Sequence, residues 1–306
     1  MLTLERVEGS ALVGVRDATT ATSPTEEATI AQCVRAQRVR TAATPFSWSM
    51  RLLPAPRRKA MQALYAFGCE VGDIADGEAS WTMKLALLAD WRAEIALLYA
   101  GRPEHIVTRA LHEAVPRFDL LCEDFLTIIN GKEMDVRAIR APSLDYLDLY
   151  CEKRAVAVSR IALRILGAAR PDGERLAAAL GRGMQLTGIL RDLAQDAARQ
   201  RLYLPRELLR AHGIFATIPS NVLAQPALPQ VCNALAERAA AYFADAERAI
   251  VSRPRLAMVA ATAMLSGYRT LLEALLSRGW ARLDEPVRIP VWHQTALLIG
   301  RSLAGP

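Results

Sequence analysis

Apolar residues in this chain recur every three or four positions through one segment after another, and nowhere do they alternate with period two over a strand's length. From Arg57 to about Ser80, for example, Met61, Leu64, Tyr65, Gly68, Val71 and Ile74 or Ala75 mark one face of a helix. The same texture runs through Glu26 to about Thr41, Trp81 to Tyr99, Pro103 to Ala114, Arg117 to Asn130, Ser143 to Leu166, Asp172 to Arg199, Leu228 to Ile250 and Leu256 to Gly279. Between these lie breakers: Pro45, Pro54 and Pro56, Gly101-Arg102-Pro103, Ala141-Pro142, residues 169–173 and the stretch 212–229. Ala and Leu dominate the 52% apolar content and aromatics make up only 6%, a balance that favours helix over sheet. No period of solenoid length appears. The expectation is an all-α fold: residues 1–25 form a frayed tail and residues 26–306 a single helical domain, long enough to bury a sizeable core.

Charge and cysteine usage narrow the function. The formal net charge is +6, but the excess is spread along the chain without a polybasic block, which argues against a nucleic-acid partner. Nearly all of the positive charge is Arg, whose planar fork suits phosphate oxygens, so a phosphate-bearing small molecule is the better candidate. The cysteines (Cys33, Cys69, Cys122, Cys151, Cys232) are odd in number, scattered and without a C-x-x-C pair, which suggests neither a disulfide framework nor a zinc site and fits a reducing, cytoplasmic setting. The N-terminus has no apolar segment of signal-peptide type, and the longest apolar stretch, Leu256 to Leu265, falls short of the ~20 residues of a membrane span.

Two acidic pairs lie inside helical patterns among apolar neighbours. Asp73 and Asp76 are three apart, and Asp192 and Asp196 are four apart, so each pair shares a helix face. Like charges so placed repel unless a cation sits between them, and Mg²⁺, with its preference for oxygen ligands and bridging phosphates, fits. A solvated helix face could carry either pair alone. The second pair, however, is preceded by Arg191 and followed by Arg199, Arg201 and Tyr203. The four histidines (His105, His112, His212, His293) lie outside these clusters, so a Ser-His-Asp or Cys-His mechanism has no support.

The run from Gly181 through Gln185, Arg191, Asp192, Asp196, Arg201 and Tyr203 to Pro205 resembles the second aspartate-rich signature of the squalene/phytoene synthases, close to Q-L-T-N-I-L-R-D-x-x-E-D-x-x-x-x-R-x-Y-L-P. Residues 46–54, opening on Phe46, and 57–67 resemble the same family's S-F-x-x-x-x-x-L-P and R-R-x-A-x-x-A-x-Y-A-F segments, in the same order and spacing. Residues 146–151 and the stretch around Tyr268 also fit, and the bacterial hopanoid branch is nearest. The resemblance implies an all-α class I prenyl-synthase bundle that condenses two farnesyl diphosphates head to head into presqualene diphosphate. Phytoene synthesis from geranylgeranyl diphosphate, or prenyl-lipid or partner binding without turnover, are the alternatives. It further implies Mg²⁺ on Asp73, Asp76, Asp192 and Asp196; catalytic roles for Asp76, Asp192, Asp196 and Tyr65; and substrate contacts at Gln185, Arg191, Arg201, Tyr203, Tyr268 and Phe46. An apolar substrate also implies transient contact with the inner face of a membrane.

The departures are specific. Where the family's first signature reads C-R-x-V-D-D-x-x-D, this chain has Gly68-Cys69-Glu70-Val71-Gly72-Asp73-Ile74-Ala75-Asp76, so an Arg has become Cys69 and a metal-binding Asp has become Gly72. In the second, a metal-binding Asn is Gly188 and a Glu is Gln195; a family Gly elsewhere is Ser159. Two implied metal ligands are therefore missing.

Overall fold

A computed structural model describes residues 53–168, 172–251 and 255–287. Phe46, Cys33 and the expected N-terminal tail lie outside these residues. Helix α1 (Ala55–Asp76) starts where Pro54 and Pro56 preset the first turn, and its buried face carries Met61, Leu64, Phe67, Val71 and Ala75, as the periodicity requires. It stops at Asp76, short of the expected Ser80, because Ser80 caps the next helix: its hydroxyl accepts from the Met83 amide at the start of α2 (Trp81–Tyr99). α3 (Ile106–His112) and α4 (Ala114–Arg117) follow. Asp119, at φ 49°, interrupts what reads in sequence as a helix from Arg117, so α5 (Cys122–Val136) begins later and runs further than expected.

α6 (Leu144–Cys151), a π turn (Glu152–Val156) and α7 (Ala157–Leu166) form one rod, capped by Ser143 and ended by Gly167 at φ 92°. The expected helix from Asp172 to Arg199 is divided: α8 (Asp172–Arg191) ends, Asp192 stands at the junction, and α9 (Leu193–Ala198) follows. α10 (Arg206–Ala211), α11 (Pro219–Leu223), α12 (Leu228–Val251) and α13 (Arg255–Arg278) complete the order. Among the described residues there is no strand, only one isolated parallel bridge between Arg140 and Leu202.

The rod feeds two packed clusters. Ile161 and Ile165 face the first, built around Phe67, whose ring meets Trp91 and Phe125 edge-on at 5.5 and 5.3 Å. Leu147, Tyr150 and Leu163 face the second, which joins α8, α12 and α13 through Leu190, Leu235, Phe243 and Leu275. Two glycines let neighbours reach the π turn at backbone distance. A Cβ at Gly131 of α5 would stand 2.8 Å from the Lys153 carbonyl oxygen, and one at Gly181 of α8 would stand 2.8 Å from the Val156 backbone. The rod is thus gripped from both sides at its π turn, beside Arg154. Beyond α9, the Leu202 amide donates to Ile139 O at 2.7 Å and the Ala141 amide to Leu202 O at 2.9 Å, which lays residues 199–205 against the end of α5.

Candidate active site

The end of α1, the end of α5, the π turn and the segment after α9 converge. Arg201 spans them: Nη1 donates to Asp76 Oδ1 at 2.8 Å and Nη2 to the Asp135 carbonyl oxygen at 2.9 Å. Arg199 Nη1 stands 4.0 Å from the same Asp76 oxygen. Burial alone would raise the Asp76 pKa, but the Arg201 hydrogen bond and charge, with Lys132 and Arg199 behind it, hold it below the usual carboxylate value.

Asp135 is the buried anchor, 3% exposed. The Tyr150 and Tyr203 hydroxyls both donate to its Oδ1, at 2.9 and 2.8 Å, and Arg154 Nε lies 3.0 Å from Oδ2. The two tyrosine rings stack with centroids 4.9 Å apart. Burial pushes both phenols well above their ordinary pKa and the Asp135 charge adds to it, so both stay protonated as donors. A buried carboxylate is stable only when so satisfied, and this one fixes the walls of the site.

On the second acidic segment, Arg191 clasps Asp192 with both prongs, Nε to Oδ1 at 2.7 Å and Nη2 to Oδ2 at 2.6 Å. Half-buried Tyr268 lies within reach of both charges. Burial, then the charge of Asp192, push Asp196 up to about 7, against the pull of Arg201 and Arg199. Gln185 and Gly188 follow one face of α8 at helical spacing, and Asp192 comes four residues after Gly188, just past the end of the helix. A Cβ at Gly188 would meet nothing within 4 Å, so the space where the family signature carries an Asn is open.

The first segment differs. A Cβ at Gly72 would lie 2.9 Å from the Lys132 ammonium nitrogen, which therefore fills the space beside position 72. Burial, then Arg154, push the Lys132 pKa down to about 7, while Asp135, Asp76 and Cys69 oppose the shift. Cys69 is pushed up to about 11 by burial and by Asp73, so a neutral thiol stands where the signature has a guanidinium; the Tyr65 hydroxyl hydrogen-bonds with it. Asp73 is exposed on α1.

These surroundings bear on a metal ion. Among the described residues no cluster of three His, Cys, Asp or Glu side chains could hold one by itself. The close pair Asp192 and Asp196, with open space at Gly188, suits a cation that keeps waters and takes phosphate oxygens for its other ligands, as Mg²⁺ does. The first segment differs: an ammonium stands beside Gly72, where the signature has a carboxylate, and Asp76 accepts from Arg201.

Of the sequence candidates, the structure thus gathers Asp76, Arg201, Tyr203, Asp196, Asp192, Arg191 and Tyr268 through direct or near contacts, with Gln185 on the α8 face leading to Asp192 and Tyr65 beside Cys69. Ser159 is buried on α7. Sequence reasoning missed Lys132, Asp135, Tyr150 and Arg154. The available signal was Lys132 and Asp135 three apart in a stretch flanked by Ile128, Ile129 and Val136, where a solvated charge has no reason to be.

Residues 39–293 match the sequence profile of the squalene/phytoene synthase family. The presqualene diphosphate synthase of Rhodopseudomonas palustris is 44% identical over 255 residues, covering 83% of this chain and 91% of that protein. That of Sinorhizobium fredii is 42% identical over 259 residues, covering 84% and 92%. The crystal structure of squalene synthase HpnC from Alicyclobacillus acidocaldarius superposes with a TM-score of 0.74 over 87% of this chain and 98% of that one, at 24% identity, and shares the helical fold. The chain belongs to the squalene/phytoene synthase family.

Proposed function

We propose that this chain is a prenyltransferase that joins two farnesyl diphosphates head to head to give presqualene diphosphate and pyrophosphate, in the branch leading to hopanoids. The observation that carries the reading is the Arg201 bridge between Asp76 and the Asp135 carbonyl, from which Arg201, with Arg199, also acts on the Asp196 carboxylate. The first chemical demand is departure of a diphosphate from an allylic carbon, and negative charge on the departing group must be met by fixed positive charge. Arg201 and Arg191 would supply it, and their hydrogen bonds to Asp76 and Asp192 support this by limiting the reorganisation needed. Asp192 and Asp196 would hold Mg²⁺, which when bound supplies the Lewis acidity that stabilises the departing pyrophosphate. Gln185, Tyr65, Tyr268 and Tyr203 would line the substrate cavity, which must keep water from a carbocation. Tyr203, donating to Asp135, keeps its proton and its ring position throughout.

Residues 26–306 would act as one catalytic domain, with Phe46 added to the substrate wall from outside the described residues. The protein would work in the cytoplasm, with transient contact to the inner membrane face where its apolar substrate and product reside. No helix among the described residues is long and apolar enough to cross a membrane.

The test is incubation of the purified chain with farnesyl diphosphate and Mg²⁺, in parallel with geranylgeranyl diphosphate, followed by product extraction. A C30 cyclopropyl diphosphate from the first substrate supports the proposal. A C40 product, or binding of both substrates without any product, refutes it.

A further inference from the structure

Three basic side chains, Lys132, Arg154 and Arg201, surround Asp76 and Asp135. Arg154 and Arg201 are both engaged, by Asp135 and Asp76 respectively. Lys132 is the member left over: among the described residues its ammonium has no hydrogen-bond acceptor or ion-pair partner, and it is half-buried rather than extended into solvent. A half-buried lysine so placed gives up part of its hydration, and a bound anion would supply it with a counter-charge.

Its position says what that is. The ammonium nitrogen would stand 2.9 Å from a Cβ at position 72, so it fills the volume that any side chain there would enter. Had residue 72 carried a carboxylate, that group and Lys132 would have neutralised each other. Gly72 and Lys132 therefore form a matched pair: removal of one side chain makes room for a positive charge reaching in from α5.

We propose that Lys132 is a resident counter-charge for the substrate diphosphate at the first acidic segment, doing there with an ammonium what a divalent cation bound through residue 72 would otherwise do. The inference rests on the synthase reading for the identity of the anion. Gly72 is then an adaptation to Lys132 rather than a lesion. The site holds its metal only at Asp192 and Asp196.

Two measurements on the purified chain test this without relying on turnover. Inorganic pyrophosphate is titrated calorimetrically into the wild type, Lys132→Met and Lys132→Arg in EDTA. Wild type should bind, Lys132→Met should weaken binding about tenfold or more, the scale of one charge-assisted contact, and Lys132→Arg should restore most of it. Thermal melts in the same buffer identify a variant that fails to fold, and Lys132→Arg keeps the test alive if Lys132→Met does. Separately, Mn²⁺ bound per chain at saturating pyrophosphate is counted by electron paramagnetic resonance. The Gly72→Asp/Lys132→Met double variant should hold one ion more than wild type. Unchanged pyrophosphate affinity in Lys132→Met, or an equal Mn²⁺ count, overturns the proposal. Either result leaves the synthase reading standing, because that reading is judged separately by product formation from farnesyl diphosphate. A wild type that binds no pyrophosphate with or without metal overturns both.

Discussion

Arg201 holds Asp76, 125 residues away in sequence, through a 2.8 Å hydrogen bond while its other prong is fixed on the Asp135 carbonyl. One planar guanidinium thus ties α1 to α5 and to the segment that follows α9. Lysine cannot reproduce both bonds in the same plane. Arg201→Lys is expected to lower kcat/KM on farnesyl diphosphate by about tenfold to a hundredfold, the range of one or two charge-assisted hydrogen bonds, with a smaller change in melting temperature. Steady-state kinetics on both proteins check it; equal kcat/KM would remove Arg201 from the site.

Asp135 depends on two hydroxyls at once. Tyr203→Phe leaves its Oδ1 with Tyr150 alone, and Tyr150→Phe leaves it with Tyr203 alone. Each single change is expected to cost about 1–2 kcal/mol of unfolding free energy. The double change should cost more than the sum, because the remaining Arg154 contact cannot satisfy a buried carboxylate by itself. Urea melts of the three variants give the coupling; strict additivity would mean the hydroxyls act independently.

Asp196 carries a pH dependence of definite sign. Its pKa in the folded protein, about 7, is raised above the ordinary 3.8, so the folded state retains a proton that the unfolded chain releases. Without metal, stability contributed at this position is therefore lost as pH rises from about 4 through 7, and the full penalty applies above. Asp196→Asn removes the ionisation. In EDTA at pH 8 it is expected to be more stable than wild type by about 1–3 kcal/mol, a gain of several degrees in Tm, and the difference should close toward pH 4. Mg²⁺ at pH 8 should then raise the melting temperature of the wild type and not of the variant. Melts across pH 4–8 with and without Mg²⁺ decide this.

The helices were readable because their apolar period is a local property, and α2 and α12 run within a residue of their expected bounds. The π turn at Glu152–Val156 was not readable. Its residues have ordinary helical composition, and the turn lies where Gly131 and Gly181 bring α5 and α8 against it from elsewhere in the chain. The acidic pairs and Arg201 could be found by spacing within one segment. Asp135 could not, since its partners Tyr150, Arg154 and Tyr203 come from the rod and from the segment after α9. Gly72 reads in sequence as a missing ligand, and only the placement of Lys132 beside it gives the change a physical content.

The most direct test of the account is pyrophosphate release from farnesyl diphosphate, measured with and without Mg²⁺ on the wild type and on Asp192→Ala. The account predicts release that depends on Mg²⁺ in the wild type and is abolished in Asp192→Ala, which loses both half of the metal pair and the acceptor of the Arg191 fork. Absence of release from a folded wild type that binds the substrate, or release that persists undiminished in Asp192→Ala, would contradict it.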